Sequence, residues 1–238
     1  MHHRHRHTDT QTHRHTDTQT QAHAALSVFY AALSPPFPPL CVQIRDGVAD
    51  AVDTLVAIFK DNADLCRHVG KPVVLAFVAA IGSHARHTSH LRFLKVLVKP
   101  EGQLMPHIQN MVVDSISAIS DDALQFYTEQ TSFLRLIDLM ASAPEDVLDN
   151  RDSVPDDELL YHLELIELLG YCTEGMNAHT ELKCQSIMTV DDVVKVIVHP
   201  DTPPQVKQSY TYFLIHCYLE TESEVKELHF RCVVGIGK

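Results

Sequence analysis

The chain has no tryptophan, only 8 glycines in 238 residues, and no uninterrupted run of about 18 apolar residues. Without such a run, no segment reads as a membrane-crossing helix, so a complete membrane channel is not expected here. The scarcity of glycine speaks against a turn-rich β fold, and no stretch alternates apolar and polar residues as a half-buried strand would. Basic residues are also short: 19 Lys and Arg face 31 Asp and Glu, for a formal charge of −12. That balance excludes the broad basic face that nonspecific nucleic-acid binding needs, and an acidic surface alone names no partner. Cys41, Cys66, Cys172, Cys184, Cys217 and Cys232 are scattered with no CxxC pair, which reads as buried reduced thiols and not as a disulfide framework. GxSxG, the P-loop and HExxH are absent, so no catalytic constellation is visible and an enzyme is not expected.

The chain does contain helical periodicity. It is densest from Glu158 to Leu228. Leu160, Leu163, Ile166, Leu169 and Cys172 recur at helical spacing, and Leu159, Leu165 and Leu168 widen the stripe beyond half the circumference. A helix of that kind needs apolar neighbours on several sides, so it belongs in the middle of a stack. Thr189 is placed to cap a helix carrying Val190, Val193, Val194 and Ile197, which Pro200 ends. Asp201-Thr202-Pro203-Pro204 then restarts the chain into a helix bearing Val206, Tyr210, Phe213, Leu214 and Cys217. Helix, proline-marked break, helix is the grammar of an α-solenoid.

The segments YHLELIELLGYCTEGMNAHTELKCQSIMTVDDVVKVIVHPD and VKQSYTYFLIHCYLETESEVKEL resemble the inositol trisphosphate receptor family. The likeness extends upstream through IFKDNADLCRHVGKPVVLAFVAAIGSHARHTSHLRFLKVLVKPEGQLMPHIQNMVV and FYTEQTSFLRLIDLM, and so covers roughly residues 51–228. The resemblance implies an armadillo- or HEAT-like α-solenoid of stacked helix pairs. It implies part of the cytosolic coupling region, shared with ryanodine receptors, of a homotetrameric calcium-release channel of the endoplasmic reticulum. The ligand pocket and the pore of such a channel would lie outside this segment, and its partners would be the other domains of the parent. The β-branched run Val190–Val198 resembles a strand in composition, and the likeness and its helical neighbours decide for helix.

Along the rest of the chain, HRHTDTQT at 5–12 recurs unchanged at 13–20, a polar repeat that reads as a translated CA-type microsatellite. The His-rich tract could ligate metal, yet residues 1–44, with the proline cluster Pro35-Pro36-Phe37-Pro38-Pro39, read as a disordered low-complexity region. Residues 45–230 read as the helical solenoid. Val48, Ala51, Val52, Leu55, Ile58 and Phe59 form one face; Pro72 opens a helix with Val74, Leu75, Phe77, Val78 and Ile81, closed by Gly82. Thr88 is placed to cap the next helix, through Leu91, Leu94, Val96 and Leu97 up to Pro100. Met105–Ile119 gives another stripe, and Thr131 is placed to cap Phe133–Met140. Residues 231–238 read as an unrelated tail. The resemblance fades after Leu228 and before about Ala51, so the likeness reads as an internal segment.

The polar candidates divide between structural and functional readings. His84, His87 and His90 share a helical face beside Arg86 and Arg92, an exposed basic turn or a contact for an anionic partner. Lys95 and Lys99 with Arg86 and Arg92 are too few and too spread for an inositol phosphate. Cys172, His179 and Cys184, or His216 with Cys217, are the metal candidates by residue type, and their spacing suits core positions better than zinc. Between Glu145 and Glu158, seven acids against Arg151 make a surface loop without an EF-hand's ligand order. Glu174 reads as part of the Thr173-Glu174-Gly175 helix stop, Gly175 taking the left-handed conformation; Glu181 carries no role, and His199-Pro200-Asp201 reads as a turn. No catalytic, cofactor or metal residue is assigned. The expected role is mechanical coupling inside a calcium-release channel, the alternative a free-standing helical-repeat adaptor that binds proteins in a groove.

A helical stack without its flanking layers exposes apolar faces. The isolated chain is therefore predicted to associate as its concentration rises, as read by light scattering. A reversible monomer at high concentration would count against that.

Overall fold

The computed structural model describes residues 49–82, 87–119, 124–144, 148–149 and 157–221. The readings for residues 1–44 and 231–238, and those for His84, Arg86 and most of the acidic loop, lie outside these residues. Every regular element among the described residues is helical. In chain order they are α1 (Ala49–Phe59), α2 (Ala63–Arg67), α3 (Lys71–Gly82), α4 (Thr88–Val98), a 3-10 turn at Pro100–Gly102, α5 (Pro106–Ile116), α6 (Gln130–Ser142), α7 (Glu158–Thr173), α8 (Ala178–Ile187), α9 (Val190–Val198) and α10 (Pro204–Leu214). A π turn, Ile215–Leu219, prolongs α10.

The boundaries follow from local chemistry. Asp157 caps α7, its carboxylate accepting from the amides of Leu159 at 2.9 Å and Leu160 at 3.0 Å. Thr189 and Asp192 close a reciprocal capping box at the head of α9. Pro106 and Pro204 occupy the first helical positions of α5 and α10, where the missing amide costs nothing. Gly175 ends the turn after α7 at φ +90, a left-handed angle that favours glycine, and a Cβ there would also have to displace the Leu104 Cδ1 methyl, 2.5 Å away. Two expected caps are displaced. His87, not Thr88, precedes α4, and Thr88 is already inside the helix and buried. Glu129 precedes α6, two residues ahead of what Thr131 suggested, because the chain enters that helix at Gln130.

Helix α7 carries the packing. Thirteen of its sixteen residues are buried; only Glu158, Glu167 and Tyr171 are not fully covered. It touches α4, α5, α6, α8, α10 and the π turn. Each of its leucines removed from water contributes about 1.5–3 kcal/mol. Around this helix the contacts follow a regular plan. α1 packs on α4, with Phe59 edge-on to Phe93 at 5.4 Å, and α4 packs on α7. α3 packs on α5, and α5 on α8. Partners across α4 and α7 rise together in number (Arg92 with Glu164, Lys95 with Glu167), so the two helices run in the same direction. The same holds for α5 and α8, from Gln109 with Asn177 to Asp114 with Lys183.

The apolar faces were largely those of the sequence stripes, with two shifts. In α9 the buried residues are Val193 and Val196, while Val190, Val194 and Val198 face outward. In α3 Leu75 is exposed, and in α1 so is Ile58. A short helix with apolar residues on most positions offers several possible stripes, and its neighbours choose among them.

Helices α7 and α10 cross closely at Gly170. A Cβ on Gly170 would stand 2.7 Å from Tyr212 Cδ1 and 3.5 Å from the Phe213 Cα. Gly170→Ala gains about 1 kcal/mol of helix propensity but forces overpacking that costs about 1–3 kcal/mol. We expect a net fall in thermal midpoint for Gly170→Ala. Gly82→Ala, whose Cβ would meet Ile119 at an ordinary 3.4 Å, should be neutral or stabilising. A stabilised Gly170→Ala chain would show that the crossing is looser than described.

Candidate functional site

Arg92 and Lys95 stand at i and i+3 on α4 and so share one face, and Lys99 is the residue that closes the helix. The parallel neighbour α7 presents Glu164 and Glu167 at matching heights, with Glu174 just past its end. The result is a charged seam. Arg92 Nε donates to Glu164 Oε1 at 3.2 Å. The Lys95 ammonium sits against Glu164 and donates to Glu167 Oε2 at 2.9 Å. The Lys99 ammonium reaches Glu174 Oε1 at 2.7 Å and Oε2 at 2.6 Å. The Tyr171 ring lies beside both lysines, 5.3 Å from Lys99 Nζ and 5.9 Å from Lys95 Nζ, close enough for a cation–π attraction.

Two of these carboxylates also face the next helix. Ser209 Oγ donates to Glu167 Oε1 at 2.7 Å, and the Tyr212 hydroxyl donates to Glu174 Oε2. Glu167 and Glu174 therefore each join α4 on one side to α10 on the other. The opposite edge of the same layer is polar as well. Gln109, buried on α5, donates from Nε2 to the carbonyls of Tyr171 and Glu174 at 2.9 Å each, satisfying the end of α7. Asn177 donates to Gln109 Oε1 at 3.0 Å and Asn110 Oδ1 at 2.9 Å. Asp114 meets Lys183 and His179, both at 2.7 Å.

The charge states follow from these contacts. Burial alone would lower the Lys95 ammonium, but Glu164 and Glu167 outweigh it and hold it above its ordinary value. Burial raises the Glu174 carboxyl, and the hydrogen bonds from Lys99 and Tyr212 overcome that and hold it below the ordinary carboxylate range. Hydrogen bonds from Lys183 and His179 hold Asp114 low. Lys95 is thus held as its ammonium, and Glu174 and Asp114 as carboxylates, at neutral pH. With Lys95 only 15% and Glu164 6% exposed, its pairs are largely shielded from water, so removing one partner leaves a buried charge behind.

Deeper in the α7–α10 contact sits a neutral polar pair. His162 Nε2 and the Tyr210 hydroxyl are 2.6 Å apart, and the Tyr127 ring stands edge-on to His162 at 4.8 Å. Tyr127 holds a left-handed φ of +57, and its hydroxyl donates to Glu158 Oε1 at 2.9 Å. Burial drives the His162 imidazole down to about 4. The polar residues of α7 were hidden in the sequence by the leucines around them; the signal was two titratable residues, His162 and Glu164, inside an apolar stripe.

The positions singled out in the sequence are dispersed. His90 is fully buried with its ring 5.9 Å from Phe77, and Arg92 is tied to Glu164, so the expected exposed basic turn is not what residues 87–92 form. Lys95, Lys99 and Arg92 are not spread out but brought to one seam, where carboxylates already occupy them. They border a surface hollow of about 460 Å³ with Lys60, Val56 and Tyr171. Cys172, Cys184 and Cys217 are buried, while His179 stands half-exposed on Asp114 and so does not join the thiols. Burial pushes the Cys66 and Cys217 thiols up to about 12, and Cys172 and Cys184 also rise, so all four are protonated at neutral pH and are poor nucleophiles. Among the described residues, no group of three or more His, Cys, Asp or Glu could hold a metal ion, and no helix is long and apolar enough to cross a membrane. Glu174 does form the helix stop, and it is also the acid at the end of the seam.

No protein-family model matches the chain. It is similar to the inositol 1,4,5-trisphosphate receptor itr-1 of Caenorhabditis elegans, 34% identical over 187 residues. That alignment takes in 79% of this chain and 6% of the receptor, so the chain spans a small fraction of the relative's length. The resemblance read from the sequence is therefore a likeness to one short stretch of an inositol trisphosphate receptor.

The buried His162 gives the site a pH dependence. Its folded-state value near 4 lies below its ordinary 6.5, so the unfolded chain binds the extra proton. Its contribution is complete above pH 6.5 and is lost as pH falls toward 4, by roughly 2 kcal/mol at pH 5. In denaturant titrations, His162→Gln should flatten the slope of stability against pH across that window, whatever its absolute stability. An unchanged slope would mean that His162 is not the group responsible.

Proposed function

We propose that this chain corresponds to a segment of the cytosolic helical scaffold of an inositol trisphosphate-gated calcium-release channel of the endoplasmic reticulum. Its helices are read as consecutive pairs of an armadillo- or HEAT-like solenoid that couples distant parts of a tetrameric parent. The single observation that carries this reading is the likeness to the nematode receptor over 187 residues. The contact plan supports it. Helix α4 lies along α7, and α5 along α8, each pair in the same direction, as counterparts in stacked repeats do. The mechanical role is supported by what fills the interfaces: ion pairs and hydrogen bonds that join neighbours, with the described thiols protonated. The alternative is a free-standing adaptor that takes a protein in a groove. The groove of about 680 Å³ between α5, residues 124–129, α6 and α8 is where such a partner would sit.

A chimera tests the first reading. Residues 51–228 would replace the aligned stretch of the nematode receptor, and ligand-evoked calcium release would be measured in microsomes. We expect assembly and release close to the parent's, and a roughly five-fold loss of release on adding Glu174→Lys, with ligand binding retained. A chimera that assembles and binds ligand but releases no calcium would sink the proposal.

A further inference from the structure

Glu167 and Glu174 differ from the other acids of the seam in what they join. Lys95 on α4 takes Glu167 Oε2, and Ser209 on α10 takes Glu167 Oε1. Lys99, beyond the end of α4, and Tyr212 on α10 meet on Glu174. Helices α4 and α10 each pack on α7. Among the described residues, the ammonium of Lys99 reaches α10 through Glu174.

We propose that Glu167 and Glu174 are relays: each carboxylate makes the contact of α7 with α4 energetically dependent on its contact with α10. The two oxygens of a carboxylate are rigidly held relative to one another, so a lysine that moves drags the whole group, drawing Glu167 Oε1 from Ser209 and drawing Glu174 Oε2, which Lys99 and Tyr212 share, from Tyr212. If Lys99 withdraws, Glu174 loses the charge partner that fixes it, and the Tyr212 hydroxyl loses a positioned acceptor. The Tyr212 ring is wedged where Gly170 lets α10 approach α7, so a freed hydroxyl acts on a close helix crossing. Glu167 repeats the arrangement about two turns earlier with Lys95 and Ser209. Two relays on one helix resist a tilt of α7 as well as a slide, because both ends of the seam must break together. Such a device gives one helix layer a physical means of sensing the next but one. This inference deepens the coupling role proposed above and rests on that role for its purpose, while the relay itself is measured in the chain alone.

The test uses the full 238-residue chain with Lys99→Met, Tyr212→Phe and their combination, each with Glu174 and with Glu174→Gln. With Glu174 present, the unfolding equilibrium constant of the double variant should depart from the product of the single effects by about fivefold. With Glu174→Gln, that departure should fall within about twofold, the range expected of independent sites. Amide hydrogen exchange supplies the second measurement. Lys99→Met should speed exchange along Pro204–Leu214 by about fivefold, and Lys183→Met, which breaks the α5–α8 edge instead, should leave those amides unchanged. Multiplicative effects in both backgrounds would overturn the proposal. So would α10 exchange that ignores Lys99→Met, or that follows Lys183→Met equally. If the Glu174→Gln chain does not fold, the Lys95→Met and Ser209→Ala cycle through Glu167 decides, together with the exchange of α10. A chimera that releases calcium normally while these cycles show no coupling would remove the relay and leave the channel assignment standing.

Discussion

Helix α7 has no face that can be left in water. Its leucines occupy every side, and thirteen of its sixteen residues are buried, so it exists as a helix only where other helices surround it. Nucleating a helix is unfavourable on its own, and helical stability in proteins comes chiefly from packing. The neighbours are therefore not accessories to α7. α4, α5, α8 and α10 are held in place by the same burial that holds it, and the two layers on either side of α7 are joined through a shared central element.

That constraint explains why the polar residues of α7 are paired. A helix so nearly surrounded has little solvated surface on which to put a charge. Glu164 and Glu167 are paired by Arg92 and Lys95 of α4, and Glu174 by Lys99 and Tyr212. His162 takes the other course. With the Tyr210 hydroxyl beside it and aromatic rings around it, it stays neutral. Charges gather toward the edge, where the lysines stay partly wet; the neutral pair lies deeper. Desolvation sorts the two kinds of polar group.

Much of this was legible before any coordinates. The breadth of the leucine stripe in 159–172 announced a central helix, Thr189 announced an N-cap, Pro204 a helix start and Gly175 a left-handed stop. Each of these rests on interactions within about four residues, which is the range a sequence expresses directly. What the sequence could not express was which side of a short apolar helix would be covered: Val190, Val193, Val194 and Ile197 looked like core, and of these Val193 is, joined by Val196, while Val190 and Val194 are exposed. The seam was hidden for a similar reason. Lys95 and Glu167 are 72 residues apart, and the chain carries no local sign that they meet. Arg92, Lys95 and Lys99 looked too dispersed to act together because their common face becomes meaningful only once α7 lies alongside in parallel.

The same separation of scales bears on how such a chain could transmit a displacement. Apolar contacts between helices are non-directional: a leucine sliding by an ångström along its neighbour keeps most of its burial, so an oily interface alone absorbs movement. Hydrogen bonds and ion pairs lose strength steeply with distance and angle, so an interface that includes them resists small displacements and passes the load onward. The contacts of α7 with α4 and α10 contain both kinds. Burial makes the layers adhere, and Lys95–Glu167–Ser209 and Lys99–Glu174–Tyr212 fix their register. Adhesion without register would make a flexible stack. Register carried by single carboxylates shared between two interfaces would make the position of one layer a condition on the position of the next, and a scaffold that couples distant sites requires that property of each of its layers.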